Sequence, residues 1–299
     1  MTARKKFRAI MAGKRLVLMP GAYDALSARI MEAEGFEAIC TGGYAAIGSM
    51  LAQPDTGQSN MRDYADHYGR ICAAVEIPVY VDGDTGFGGV NNVRQMMRAF
   101  EAAGIAGVFF SDQVFPNRCG YLPGKQVIAV EQMLAKIKAA LDARRDADFF
   151  IAARTDAAGV EGLDVAIRRC QLFMEAGADM AKPMGVDTID AIKRVIREVG
   201  GPHMATLSQA AGLKARSLEE LEAAGVVAAT FPSLALFAAA HAVRNVLRLL
   251  KRENSLNPTF EHLMPLADYY DLVGLKEQLA REEGYDRAAA ALTHKRAAE

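Results

Sequence analysis

The chain has 299 residues, 51% of them apolar, and its 35 Lys and Arg against 36 Asp and Glu leave a formal net charge of −1. That is enough chain for one large soluble domain, or a domain with an appendage. Basic residues scattered among acids give no surface for nucleic acid. No run of about 18 uncharged apolar residues occurs, and the basic stretch Met1 to Arg8 leads into no apolar segment with a cleavage site. Neither a membrane span nor a secretory signal is expected, and the expected location is the cytoplasm. Cys40, Cys72, Cys119 and Cys170 are widely spaced with no CxxC pair, which points to reduced thiols rather than a zinc knuckle or a disulfide framework.

Eight short apolar segments follow one another with helical stretches between them: Leu16–Met19, Ala38–Thr41, Val79–Asp82, Gly107–Ser111, Phe149–Arg154, Ala178–Lys182, His203–Leu207 and Val226–Phe231. Their length and their β-branched and aromatic content suit buried parallel strands. The phrases ending in Gly35, Gly104, Gly177 and Gly225 each put a glycine after a helical pattern and before a strand, where a helix C-cap belongs. Eight such repeats over about 230 residues predict a (β/α)8 TIM-type barrel. A doubly wound dinucleotide fold would need GxGxxG after the first strand, and Met19-Pro-Gly-Ala-Tyr23 is not that motif. Beyond the eighth strand, Leu234–Arg252 reads as an apolar helix, Asn254 to Pro258 breaks it, and further helices follow. The whole chain therefore reads as one barrel domain, residues 1–299, with about 250–299 a helical extension for packing in an oligomer.

In such a barrel the chemistry sits where the strands end. Strand one ends near Tyr23 and Asp24, and strand two at Thr41-Gly42-Gly43. Strand three ends in Asp82 and Asp84, strand four in Ser111-Asp112-Gln113 and strand five in Arg154-Thr155-Asp156. Lys182 closes strand six, Thr206 to Gln209 strand seven, and Pro232-Ser233 strand eight. Asp82 and Asp84 stand at i and i+2, a spacing that aims both carboxylates to one side of a strand, beside glycines that let a ligand approach. Oxygen-only donors of this kind suit a hard cation, Mg2+ or alternatively Mn2+. Thr41 with its two glycines offers a hydroxyl and backbone N–H groups to an anion, and Arg154 offers a bidentate fork. In the glycine-flanked loop after strand four, Cys119 stands beside Arg118, surroundings that activate a thiol. Cys40, Cys72 and Cys170 read as buried small hydrophobes. For Lys182 an ion pair with a nearby acid is expected rather than Schiff-base chemistry, and His67 with Asp63 reads as an exposed polar helix face.

These segments together resemble the isocitrate lyase and phosphoenolpyruvate mutase superfamily, on the 2-methylisocitrate lyase-like branch. The resemblance rests on Pro20-Gly-Ala-Tyr-Asp-Ala-Leu-Ser-Ala, Thr41-Gly-Gly, Pro54-Asp55-Thr-Gly, Asp82-Gly-Asp84-Thr-Gly-Phe-Gly, Asp112-Gln113, Arg118-Cys119-Gly120, Gly124-Lys125 and Ala153-Arg154-Thr-Asp156. It implies that Asp84 reaches Mg2+ directly, that Asp82 holds its waters, and that Asp55 assists. It also implies that Thr41, Gly42, Gly43 and Arg154 hold the substrate carboxylate or the oxygen that becomes charged, while Cys119 moves a proton at carbon. Tyr23, Arg118, Gly120, Thr206 and Gln209 complete the expected substrate contacts, and a homotetramer built from helix-swapped dimers is implied.

The chain departs from the lyase pattern at four places. Ser111 stands where a Glu is usual, Tyr121 where the loop has His, Met184 in place of the Glu after strand six, and Thr206 with Gln209 in place of an Asn and a Glu. The expected activity is Mg2+-dependent cleavage of a carbon–carbon bond in a small 2-hydroxy di- or tricarboxylate of the 2-methylisocitrate, dimethylmalate or citramalate kind. The products include a 2-oxo acid, with Arg154 stabilising the alkoxide, Cys119 as the proton donor and Tyr121 replacing the histidine in the relay. The alternatives are oxaloacetate decarboxylation or hydrolysis, phosphono-substrate chemistry of the carboxyphosphonoenolpyruvate mutase kind, and acid binding without catalysis.

Overall fold

The computed structural model describes residues 1–120, 122–186, 188–208 and 217–297, the last five of these as backbone only. Among the described residues eight strands run parallel: β1 Val17–Pro20, β2 Ile39–Thr41, β3 Val79–Asp82, β4 Gly107–Ser111, β5 Phe150–Thr155, β6 Met180–Pro183, β7 Met204–Thr206 and β8 Ala228–Phe231. Two ladders hold them, in the orders β2-β3-β4-β5-β6 and β1-β8-β7. A bridge from Gly21 to Cys40 joins β1 to β2. Between β6 and β7 the described residues form no ladder, and there the Lys182 ammonium donates to the Thr206 hydroxyl at 2.8 Å.

Helix α1 (Ala3–Met11) precedes the first strand. The strands are then followed in turn by α2 (Ala25–Ala33), α3 (Gly43–Leu51) with α4 (Met61–Ala74), α5 (Val90–Ala102), α6 (Val130–Ala143), α7 (Leu163–Glu175), α8 (Ile189–Val199), α9 (Leu218–Ala223) and α10 (Leu234–Glu253). This is the (β/α)8 barrel that the strand count predicts. Gly35, Gly104, Gly177 and Gly225 all take positive φ just after a helix, as the repeated phrase requires.

The chain divides into two compact units, Met1–Ala239 and Ala240–Glu299. The second comprises the remainder of α10, a short 3-10 turn at Asn257–His262, α11 (Leu266–Leu272) and α12 (Leu275–Ala297). Among the described residues no helix is long and apolar enough to cross a membrane.

Two apolar layers position the strand ends. Inside the barrel, Met19, Tyr80, Phe150, Ala152, Met180 and Met204 pack together, and Phe7 of α1 joins them. The Phe7 ring stacks on Tyr80 at 5.3 Å and meets Phe150 edge-on, so α1 closes the end of the barrel away from the strands' carboxyl ends. Between strands and helices lies a larger layer that includes Ile39, Val81, Val108, Ile151, Tyr68 and Phe100.

Two local expectations are corrected. Ala178 and Asp179 do not belong to β6, because the Asp179 carboxylate is taken by Arg8, Arg144 and the Ile151 N–H, which holds it at the turn before the strand. His67 is not on an exposed face: it is buried against Tyr68, and burial lowers its pKa. Asp63, its i−4 neighbour, caps the start of α4 through Ser59 and Asn60 instead.

Candidate active site

The cavity at the carboxyl ends of the strands is lined by Thr41, Gly42, Gly43, Asp55, Asp82 and Asp84. Arg118, Cys119, Gly120, Arg154, Lys182 and Thr206 complete the lining. Most of the residues singled out in the sequence are therefore together. Tyr23 is not among the lining residues, and its backbone N–H bonds the Ser27 hydroxyl at the start of α2. Tyr121 and Gln209 lie outside the described residues.

The acidic side is built on β3 and the turn that follows. Asp82 accepts from the Gly43 N–H at 3.1 Å with one oxygen and from the Asp84 N–H at 2.8 Å with the other. Asp84 does not share a face of the strand with Asp82 as the i, i+2 spacing predicts, because β3 stops at Asp82. Asp84 sits in a tight turn with φ 58°, a left-handed conformation that Asp tolerates better than most residues. Its placement comes from that turn, not from strand pleating. A methyl group on Gly43 would lie 3.2 Å from Asp82 Oδ2 and 3.4 Å from Asp55 Oδ2, so these two carboxylates converge on the bare backbone of Gly43.

Burial raises the pKa of all three acids. Asp84 is pushed up to about 7 and Asp55 to about 6, in both cases by desolvation and then by the charge of Asp82. Asp82 moves in the same direction, again chiefly through burial, with Arg154 opposing. Asp55 Oδ1 has no hydrogen-bond partner. A buried acceptor without a partner beside two mutually repelling carboxylates is what a divalent cation would satisfy. Among the described residues no three His, Cys, Asp or Glu side chains form a closed metal cage. An open set of one or two carboxylates, completed by water and substrate oxygens, is the pattern of Mg2+ rather than of structural zinc.

The β5 part of the lining is cationic. Arg154 is half-buried on β5, its Nη2 donates to Asp156 at 2.9 Å, and Asp156 also accepts from Lys125 at 3.1 Å. Asp156 holds one end of the guanidinium while Arg154 Nε stays without a partner. Thr41 Oγ1, also buried, is likewise unspent. These are donors for an oxygen-rich ligand.

The loop from Gln113 to Lys125 is tied down by side chains whose role the sequence did not reveal. Gln113 bonds the backbone of Arg118 in both directions, at 3.0 Å each. Lys125 reaches the Gly120 carbonyl at 2.5 Å, and the Cys119 N–H donates to the Asp55 carbonyl at 3.4 Å. Cys119 is half-buried at the cavity. Arg118 turns its guanidinium to the Pro123 carbonyl at 3.2 Å. The other thiols behave as inert groups: burial pushes Cys40 and Cys72 up to about 12 and Cys170 higher still. Ser111 donates its backbone N–H to the Asp84 carbonyl, and its hydroxyl accepts from the Gln113 N–H.

Loop closure leaves no room at Gly120, where a Cβ would meet Arg154 Nη2 at 2.5 Å and Met184 at 3.0 Å. Gly120→Ala is expected to lower kcat/KM by roughly 10- to 100-fold, because misplacing the loop by about an ångström has costs of that order. Its thermal unfolding should stay close to wild type, and steady-state kinetics beside a melting curve would check both.

Lys182 departs from expectation. No carboxylate of the described residues pairs with it. It bonds Thr206 instead, because the acids nearest in charge, Asp82 and Asp156, are already engaged with Gly43 and Asp84 or with Arg154 and Lys125.

Comparison with known proteins gives consistent results. The family described as phosphoenolpyruvate phosphomutase matches residues 7–251. The 2,3-dimethylmalate lyase of Eubacterium barkeri is 33% identical over 285 residues, covering 95% of this chain and 99% of that enzyme. The 2-methylisocitrate lyase of Aeropyrum pernix is 36% identical, over 94% of this chain and 91% of that enzyme. Among solved structures, phosphonopyruvate hydrolase in complex with oxalate and Mg++ superposes with a TM-score of 0.85 at 28% identity, covering 95% of this chain and 99% of that one.

Proposed function

Because the chain belongs to the phosphoenolpyruvate phosphomutase family, we propose that it is a Mg2+-dependent lyase that cleaves a carbon–carbon bond in a small 2-hydroxy di- or tricarboxylate, releasing a 2-oxo acid. The observation that carries this reading is the grouping of Asp55, Asp82 and Asp84 with Arg154 and the Cys119 loop in one cavity. Asp84 and Asp82 would hold Mg2+, directly and through water, with Asp55 in support. Bound there, the metal supplies a Lewis acid for the oxygen on the substrate's C2.

The chain's own groups account for the remainder. Arg154 and Thr41 bind the carboxylate next to the reacting carbon and the oxygen that gains charge, using the donors that have no partner in the protein. Asp55 Oδ1 is available to take the hydroxyl proton. When the C2–C3 bond breaks, its electron pair passes to the departing fragment as an enolate, and the Cys119 thiol protonates that carbon. Lys125 and Gln113 keep the loop down and water out while this happens. We place the enzyme in the cytoplasm as a homotetramer of helix-swapped dimers. Exposed Val243, Leu247, Leu256, Phe260 and Leu266 in the C-terminal unit are apolar surface suited to such an assembly.

Ser111, in the place of a usual lyase Glu, together with the likeness to phosphonopyruvate hydrolase, supports a second reading: enolate chemistry on oxaloacetate or a phosphono acid. A panel of 2-methylisocitrate, 2,3-dimethylmalate, citramalate, oxaloacetate and phosphonopyruvate, followed by substrate loss and by release of oxo acid, oxalate or phosphate with Mg2+, separates them. Release of a 2-oxo acid from a hydroxy acid supports the lyase. Turnover confined to the last two supports the second reading, and binding without turnover makes the protein an acid-binding homologue.

Metal binding and protonation compete for the same carboxylates. The folded-state values of Asp84 and Asp55 are raised, so above about 7 their charges oppose folding in the metal-free protein, and protonation relieves this as pH falls through about 7 and then about 6. Mg2+ stabilises only the deprotonated cluster. The Mg2+-induced rise in Tm is therefore expected to be largest near pH 8 and to shrink by pH 5.5. Differential scanning fluorimetry with Mg2+ or EDTA at both pH values would show it, and an equal rise at both would contradict the assignment.

A further inference from the structure

Lys182, the last residue but one of β6, stands directly beside Arg154 in the β5–β6 ladder, and both cationic side chains line one cavity. Both lie over the same aromatic ring, the Lys182 ammonium at 5.8 Å and the Arg154 guanidinium at 6.0 Å from the centre of Phe109. Asp156 compensates Arg154, but Lys182, 5% exposed, pairs with no carboxylate among the described residues. Keeping a buried ammonium without a counter-charge is costly unless something else in the site supplies the negative charge.

The surroundings of Lys182 are arranged to receive an anion. Lys182 donates one ammonium proton to Thr206 Oγ1 at 2.8 Å, and the Thr230 hydroxyl, which also reaches the Ala205 carbonyl at 3.3 Å, lies 3.2 Å from the same oxygen. An ammonium with two unspent protons thus stands beside two hydroxyls at the cavity edge formed by β6, β7 and β8. Those protons call for an acceptor-only group, and none of the metal-side acids is needed to satisfy them.

We infer that Lys182 and Thr206 form a second carboxylate subsite, separate from the Arg154 and Thr41 donors, that selects substrates carrying a further carboxylate beyond the one beside the reacting carbon. The inference rests on the proposed Mg2+–acid reading of the same cavity and assigns to Lys182 and Thr206 the second carboxylate that such a substrate carries. Desolvation lowers the Lys182 pKa to about 8, which leaves the group mainly protonated at neutral pH and so able to fill this role. The same environment would suit imine formation with a 2-oxo acid, which the test below distinguishes.

Malate is lactate with one added carboxylate, so the two acids isolate the subsite. In calorimetric titration of the Mg2+-loaded protein, wild type is expected to prefer malate over lactate by roughly 10- to 100-fold, the range of a charge-assisted pair. Lys182→Met should reduce that preference to about three-fold or less while oxalate affinity changes little. Thr206→Val, a milder variant should Lys182→Met fail to fold, should lower the preference in the same direction. An undiminished preference in a folded variant would overturn the subsite. So would covalent trapping of pyruvate on Lys182 by borohydride, in favour of imine chemistry. If wild type with Mg2+ fails to bind oxalate, the underlying acid-site reading falls, and the subsite with it.

Discussion

Cys119→Ser is expected to lower 2-oxo-acid release by about 10²- to 10⁴-fold, the contribution of a positioned proton donor. The substitution is nearly isosteric, and the loop's ties run through Gln113, Lys125 and the Cys119 backbone N–H, none of which it removes. Loop position, oxalate affinity and Tm should therefore stay near wild type, and the loss should appear in kcat rather than KM. The hydroxyl that replaces the thiol is a much weaker acid, so the departing enolate waits longer for its proton. Full activity in the serine variant would remove Cys119 from the mechanism. A loss confined to KM would reassign it to binding.

Asp84→Asn is expected to reduce turnover by at least roughly 10²-fold, since loss even of groups behind the metal ligands costs up to that much. Unlike Cys119→Ser, it should also weaken Mg2+-dependent oxalate binding, because the expected direct ligand becomes a neutral amide. Stability should move the other way. Asp84 is buried and repelled by Asp82, so neutralising it relieves the metal-free fold. Without metal, the variant is expected to melt no lower than wild type, and at higher temperature near pH 8, where the wild-type carboxylate is charged. Addition of Mg2+ should then raise the Tm of wild type far more than that of the variant. Together the two substitutions separate the bond-breaking machinery from the metal site.

Much of this arrangement was legible in the sequence, because a parallel strand buried on both faces is an unbroken apolar run whose end can be read directly. Thr41, Asp82, Ser111, Arg154 and Thr206 are all the last or nearly the last residues of observed strands. Helix ends were legible for a related reason: the backbone at Gly35, Gly104, Gly177 and Gly225 needs positive φ, which leaves a visible glycine.

What escaped the sequence depends on contacts between distant segments. Lys125 and Asp156 lie 31 residues apart, and only the fold shows that they pair with each other, Asp156 also holding Arg154 and Lys125 also holding the Gly120 carbonyl. Asp84 was correctly associated with Asp82, but for the wrong local reason, since a left-handed turn and not the strand's pleat sets its direction. Lys182 was expected to find an acid because buried lysines generally do, yet the acids nearby were already committed. For His67, periodicity alone did not distinguish the solvent-facing side of α4 from the side turned to Tyr68.

Asp55, Asp82 and Asp84 with Arg154 make up the proposed metal–acid site, and calorimetric titration of wild-type protein with oxalate tests it most directly. Oxalate should bind in the presence of Mg2+ and lose at least roughly 100-fold in affinity when EDTA removes the metal, with recovery on adding Mg2+ back. Equal binding with and without Mg2+, or no binding under either condition, would contradict a metal–carboxylate site at these strand ends.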